Sequence, residues 1–137
     1  MIFLLGGAPR VGKSIIAAEI RRRYALSVVS TDTLGAVLEH VLSPETAPDL
    51  FLFARFNEMP AAERVQLMVN DPAELVDYVR RESGVVWQAV EAFKSREAEE
   101  GRDALIEGTA ILPELVHRLE ELPHRVVFIG NQGRQHH

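Results

Sequence analysis

The chain has 137 residues, with 15 Lys and Arg against 20 Asp and Glu and a net charge of −5. Its 47% hydrophobic and 26% charged content excludes a disordered or low-complexity chain and fits one globular domain spanning residues 1–137. Cysteine is absent, which excludes disulfides, thiolate nucleophiles and zinc–thiolate sites.

In chain order, Ile2-Phe3-Leu4-Leu5 is a continuous apolar run, as expected of a strand buried on both faces in a parallel sheet. From Lys13 the period changes to that of a helix, with Ile16, Ile20 and Tyr24 on one stripe. Ser27–Ser30 reads as a second strand. Either Asp32 or Thr33 is then placed to cap a helix whose apolar stripe is Leu34, Val37, Leu38, Val41 and Leu42. Residues 43–60 are broken by Pro44, Pro48 and Pro60, with a short helix expected within 49–56 and another over 61–69. Asp71-Pro72-Ala73-Glu74 predicts a helix start, with an N-cap acid, proline in the first turn and a glutamate after it. That helix runs to about Glu100 and stops at Gly101, with Gly84 as a candidate break.

Ala104-Leu105-Ile106 is the third strand, closed by Glu107-Gly108. Pro113 opens a helix carrying Leu115, Val116, Leu119 and Leu122 and closed by Pro123. Arg125–Ile129 is the fourth strand. Alternating strands and helices, with apolar strands, predict an α/β domain of three layers: a mostly parallel sheet of about four strands covered by helices on both faces. Ligands of such sheets bind beyond the carboxyl ends of the strands, so the polar residues there are the candidates. The helical stretch at about 43–101 is an insertion between the second and third strands.

Gly7-Ala8-Pro9-Arg10-Val11-Gly12-Lys13-Ser14 matches the phosphate-loop pattern G-x-x-x-x-G-K-[ST] at every fixed position. Such a coincidence arises by chance in roughly one in two hundred chains of this length. Here it also falls between a strand and a helix, as a working loop must. Glycines let successive backbone N–H groups turn inward toward phosphate oxygens, and the helix N-terminus adds its dipole. Lys13 is placed to reach the β- and γ-phosphates, and the Ser14 hydroxyl to ligate Mg²⁺. Two acids end the next strands. Asp32 and Glu107 would both face the γ-phosphate if the second and third strands flank the first. One would orient or deprotonate an acceptor hydroxyl, and the other would hold Mg²⁺ directly or through water. Against these roles stand a plain helix cap for Asp32 and a solvated loop carboxylate for Glu107. No Asn-Lys-x-Asp motif and no Asp-x-x-Gly after the third strand occur, which favours ATP over GTP.

Charge is uneven. The first thirty residues hold Arg10, Lys13, Arg21, Arg22 and Arg23 against Glu19 alone. For Arg21–Arg23 this is either part of an anion site or a solvated helix end, where cations are favoured. The overall acidity argues against general nucleic-acid binding. No apolar run approaches the roughly 20 residues of a spanning helix, and no basic segment precedes the N-terminal apolar run. A cytoplasmic protein with no membrane association is expected.

Gly7–Ser14, Ser30-Thr31-Asp32-Thr33-Leu34 and Ile106-Glu107-Gly108-Thr109-Ala110-Ile111-Leu112-Pro113 together resemble the small P-loop kinases. The likeness is to the group containing 2-phosphoglycerate kinase, zeta-type toxins and chloramphenicol phosphotransferase. The resemblance implies a P-loop nucleoside triphosphate-binding fold and Mg²⁺-assisted transfer of the ATP γ-phosphoryl group to a hydroxyl of a small molecule. It gives Asp32 the acceptor hydroxyl and Lys13 and Ser14 the phosphates and Mg²⁺; with the strand-end acid Glu107, the catalytic candidates are Lys13, Asp32 and Glu107 and the Mg²⁺ candidates Ser14 and Glu107. It assigns the nucleotide to Gly7–Ser14, that is Gly7, Ala8, Pro9, Arg10, Val11, Gly12, Lys13 and Ser14. It also implies an acceptor site between the second and third strands, where Arg55, Arg64, Arg80 and Arg81 lie and are otherwise ordinary solvated helix residues. Family members continue after the fourth strand into an arginine-bearing lid and a fifth strand. This sequence ends at 131–137, with Arg134 where a lid would begin or as a tail residue. Three functions stay open: a small-molecule kinase, a nucleotide-binding module without phosphotransfer, and a zeta-toxin-like nucleotide-sugar kinase.

Overall fold

The computed structural model describes residues 1–7, 12–117 and 124–129. Its sheet has four strands, β1 (Ile2–Gly7), β2 (Ser27–Ser30), β3 (Ala104–Gly108) and β4 (His124–Ile129). All pairings are parallel and the order is β2-β3-β1-β4. Helices α1 (Lys13–Arg23), α2 (Thr31–Val41), α3 (Leu52–Glu58), α4 (Ala61–Asn70), α5 (Pro72–Glu99) and α6 (Pro113–Val116) fill the connections, with a 3-10 turn at Pro48–Phe51. An α/β fold of this kind is compatible with a P-loop domain.

Side chains alternate across a strand, so each strand serves two cores. On one face Leu5 and Leu105 pack with Ala17 of α1, and Phe3, Ile20 and Val28 close around them. On the other, Ile2, Leu4, Ala104 and Ile106 meet Trp87 and Val90 of α5, with Ile111 and Leu115. Both faces are therefore covered by helices. The β3 strand is buried along its whole length, which is why its sequence reads as an unbroken apolar run ending in an acid.

The expected strand positions of β1 to β3 hold, but their neighbours differ. Had β2 and β3 flanked β1, Asp32 and Glu107 would stand on either side of the phosphate loop. Instead β3 lies between β1 and β2, pairing Leu5 with Glu107 on one side and Ser30 with Glu107 on the other. The strand without a solvated face takes the interior position, and β2, whose residues are all partly exposed, takes the edge.

Two helix starts also differ from expectation. The N-cap of α2 is Ser30, whose hydroxyl accepts from the Asp32 N–H at 3.0 Å, so neither Asp32 nor Thr33 caps it. The strand passes straight into the helix, and the last strand residue therefore takes the capping role. Asp71 occupies the N-cap position of α5 but makes no side-chain capping bond. Gly84 does not break α5, which runs unbroken over its 28 residues. A mid-helix glycine costs about 1 kcal/mol. Burial of Trp87, Val86 and Val90 on the following turns offsets this, at roughly 1.5–3 kcal/mol for each large apolar side chain. The expected short helix at 49–56 is split into the 3-10 turn and α3. Leu119, Leu122 and Pro123 lie outside the described residues.

At the amino-terminal edge of the sheet, Glu97 of α5 accepts from the Ser27 hydroxyl at 3.0 Å and from Arg102 Nε at 2.6 Å. This ties the end of α5 to the start of β2. Among the described residues no helix is long and apolar enough to cross a membrane.

Candidate active site

The carboxyl ends of β1, β2 and β3 present the candidate residues. Gly7 ends β1 at φ 140° and Gly12 caps α1 at φ 96°, backbone conformations that favour glycine. The two fixed glycines of the motif thus stand at the end of β1 and the start of α1. Lys13 is the first residue of α1 and is only 7% exposed. Burying a lysine is costly unless it is paired or serves an anion. Ser14 follows and is exposed. Helix α1 has no acidic residue in its first turn, which leaves its positive end unopposed by a local carboxylate. Ala8, Pro9, Arg10, Val11 and Arg134 lie outside the described residues.

Glu107 lies within β3 and is 8% exposed, so it is not a solvated loop carboxylate. It shares a cavity of about 180 Å³ with Ser14, Ser30 and Arg21. The two proposed Mg²⁺ residues are thereby brought to one space between α1 and the β2–β3 edge. Their oxygens are the hard donors that Mg²⁺ prefers, and this ion commonly takes only one or two protein ligands and completes its shell with phosphate and water. No group of three or more His, Asp or Glu side chains among the described residues is arranged to hold a metal by itself. The donor set fits Mg²⁺ in company with a nucleotide.

Asp32 stands elsewhere. It is exposed in the first turn of α2 and lines a second cleft, of about 230 Å³, with Thr31, Glu39, Glu82, Ser83 and Thr109. This cleft lies between α2, α5 and the turn after β3. Because Ser30 supplies the cap, the Asp32 carboxylate has no capping duty and is available to a ligand. Glu82 accepts from the Phe53 N–H at 2.6 Å. Burial, and then the charge of Glu39, push its carboxyl above the usual range, against the lowering effect of the backbone N–H bonds.

The two clefts are joined by a contact that sequence reasoning missed. Gly108, at φ 148°, lies so close to Thr31 that a Cβ would fall 1.9 Å from Thr31 Oγ1. Thr31 is 2% exposed, and its hydroxyl accepts from the Ala110 N–H at 3.4 Å. The start of α2 is thus pinned to the end of β3. The only signal in the sequence was a glycine directly after the strand-end acid. Of the three arginines that end α1, left open between an anion site and a solvated helix end, Arg21 stands apart. Its neighbours Arg22 and Arg23 pair with Glu19, as a solvated helix end would, but Arg21 faces the cavity of Ser14 and Glu107.

The four arginines considered for acceptor binding do not line the second cleft. Arg81 is bonded to Asp49 at 2.7 Å, Arg80 to Glu114 at 3.3 Å, and Arg55 to the Pro48 carbonyl at 3.1 Å.

The chain is similar to archaeal proteins named 2-phosphoglycerate kinase. It is 32% identical to that of Thermococcus kodakarensis over 119 residues, 86% of this chain and 39% of the relative. It is 32% identical to that of Pyrococcus horikoshii over 133 residues, 95% of this chain and 42% of the relative. For Methanocaldococcus jannaschii the identity is 32% over 130 residues, 94% and 40% respectively. The chain therefore spans about two-fifths of the length of the curated relatives it matches. No family model matches it, and no solved structure does.

Proposed function

The chain belongs to the 2-phosphoglycerate kinase-like P-loop kinase family, and from that premise we propose that it takes part in Mg²⁺-assisted transfer of the ATP γ-phosphoryl group to a hydroxyl of a small molecule. The observation that carries this is the convergence of Ser14 and buried Glu107 on one cavity at the start of α1, beside a second cleft holding Asp32. A phosphotransferase needs such a pair of adjoining spaces, one for the nucleotide and one for the acceptor.

In this mechanism Lys13 and the N-terminus of α1 bind the phosphates, and Ser14 and Glu107 would hold Mg²⁺. Bound Mg²⁺ would neutralise charge on the β- and γ-phosphates. Arg21 adds a positive charge at the same cavity. Asp32 accepts the proton of the acceptor hydroxyl as its oxygen bonds to the γ-phosphorus, and the bridging P–O bond breaks to leave ADP. General-base help of this kind is worth about 10²–10⁴ in rate. Positioning and charge stabilisation supply most of the remainder.

Incubation with γ-labelled ATP, Mg²⁺ and a panel of hydroxyl acceptors tests the proposal. Labelled acceptor should form, and Lys13→Ala should weaken ATP binding about ten- to hundred-fold, the worth of a lost charge-assisted contact. ATP binding that depends on Lys13 without labelled product from any acceptor would favour the binding-module function instead. ATP binding indifferent to Lys13→Ala would defeat both.

A further inference from the structure

The acids of the two clefts are tied together by a single contact. The pairing of β2 with β3 ends where Ser30 lies opposite Glu107. The same register continues past the sheet. Thr31 lies on Gly108, and Asp32 and Thr109 line one cleft, while Ser30 and Glu107 line the other. Thr31 therefore stands at the step between the two spaces. It precedes Asp32 in sequence and packs on the residue that follows Glu107. A buried hydroxyl needs a partner, and that of Thr31 has one in the N–H of Ala110, itself buried. Gly108 has no room for a Cβ beneath that hydroxyl. In so close a packing the start of α2 and the turn after β3 cannot shift apart without moving Thr31. On its other side, the Asp32 N–H is held by the Ser30 hydroxyl at 3.0 Å. The Asp32 side chain is exposed, so its place is set by this anchored backbone and not by packing of its own.

We propose that Thr31 is a positioning residue: it fixes the Asp32 carboxylate relative to Glu107, and with it the acceptor hydroxyl relative to the γ-phosphate. Its catalytic meaning rests on the phosphotransferase function proposed above, to which it adds the residue that sets the spacing of the two halves. Thr31 touches no reacting atom. It acts through Asp32 on one side and, by way of Gly108, through Glu107 on the other. A misplacement of about 1 Å between reacting groups costs about 10²-fold in rate. Nucleotide binding uses only the cavity of Ser14 and Glu107, so it should be nearly indifferent to the same shift.

Three variants of the full chain test this. Thr31→Val keeps the branched shape and removes the hydroxyl. Thr31→Ser keeps the hydroxyl. Thr31→Ala/Gly108→Ala relieves the overlap that Gly108→Ala creates, but has no hydroxyl. Kinetics use γ-labelled ATP, Mg²⁺ and three acceptors: 2-phosphoglycerate, glycerate and glycerol. Thr31→Val should lower kcat about ten- to hundred-fold and leave KM for ATP within about two-fold, whereas Thr31→Ser should stay within about three-fold of the parent kcat. The double variant should keep the low kcat even where its stability recovers. A second readout needs no turnover. Mn²⁺ added with ATP should broaden the Asp32 amide signal in the parent, and the broadening should change in Thr31→Val but not in Thr31→Ser. The proposal is overturned if Thr31→Val keeps the parent kcat, if Thr31→Ser falls as far as Thr31→Val, or if the Asp32 broadening is absent or the same in every variant. No labelled product from the parent would count against the phosphotransferase function alone, because the broadening still reports whether Thr31 sets the spacing.

Discussion

The two clefts at the carboxyl edge of the sheet are built by different means. The cavity of Ser14 and Glu107 rests on strand ends and on a helix that begins within a contiguous motif. Its acid is held inside β3, paired on both sides. The Asp32 cleft is enclosed by α2, α5 and the turn after β3, elements far apart in sequence, and its acids Asp32 and Glu39 are exposed. Under the proposed function, the first arrangement would fix charge for a ligand part common to all nucleoside triphosphates. The second leaves walls that can differ between relatives without disturbing the sheet. The proposed function would thus put its shared chemistry on the buried frame and its selectivity on the helical cover.

Substitutions can set the two regions against each other. The largest effect is expected from Asp32→Asn, which should lower kcat by about 10²–10⁴ while ATP affinity and stability stay near those of the parent. A parallel loss of ATP affinity would mean that Asp32 serves the nucleotide and that the clefts are not separate. Next is Gly108→Ala, which should destabilise the protein by about 3 kcal/mol or more, from overlap with Thr31 together with left-handed strain. Urea unfolding measures this. Thr31→Ala should recover part of the loss in the double variant, as contacting residues are not additive.

A smaller loss, about 1 kcal/mol, is expected for Ser30→Ala through the α2 cap, whereas Asp32→Ala should change stability by less than about 0.5 kcal/mol. The opposite order would return the capping role to Asp32. The smallest effect concerns Glu97, remote from both clefts. Its bond from Arg102, above all, holds its carboxyl below the ordinary 4.5. The folded state therefore binds that proton less readily than the unfolded state. The associated stability is present above the ordinary carboxylate range and is lost as pH falls through 4.5 and below. Urea midpoints for Glu97→Gln should show a shallower acid decline than the parent. Identical declines would remove Glu97 from the acid response.

The glycine-rich motif was legible because it lies within eight consecutive residues, and the structure shows positive φ at its two fixed glycines, Gly7 and Gly12. The strands were legible because burial on both faces imposes apolar runs. Strand order was not, since Ile2–Gly7 and Ser27–Ser30 carry no local mark of which neighbour each will pair with. That choice depends on β3, a distant segment. The same limit explains Thr31, which reads as an ordinary polar residue until Gly108 is brought against it. It also explains why Arg21 could not be told apart from Arg22 and Arg23, whose helix turn it shares but not their surroundings. The capping residue was misplaced by two or three positions because no loop separates β2 from α2, so the familiar strand–loop–cap spacing did not apply.

The central place of β3 also bears on the order in which the protein can form. Neither β1 nor β2 pairs with the other, and both find a partner in β3. During synthesis from the amino terminus, the loop motif and its strand emerge early. They must then wait through the whole helical stretch from Thr31 to Glu99 before a strand arrives to join them. Sheets closed by such distant partners fold slowly compared with helical bundles. Glu107 arrives on that same strand, so the cavity beside Ser14 gains its acid at the moment the sheet first becomes continuous.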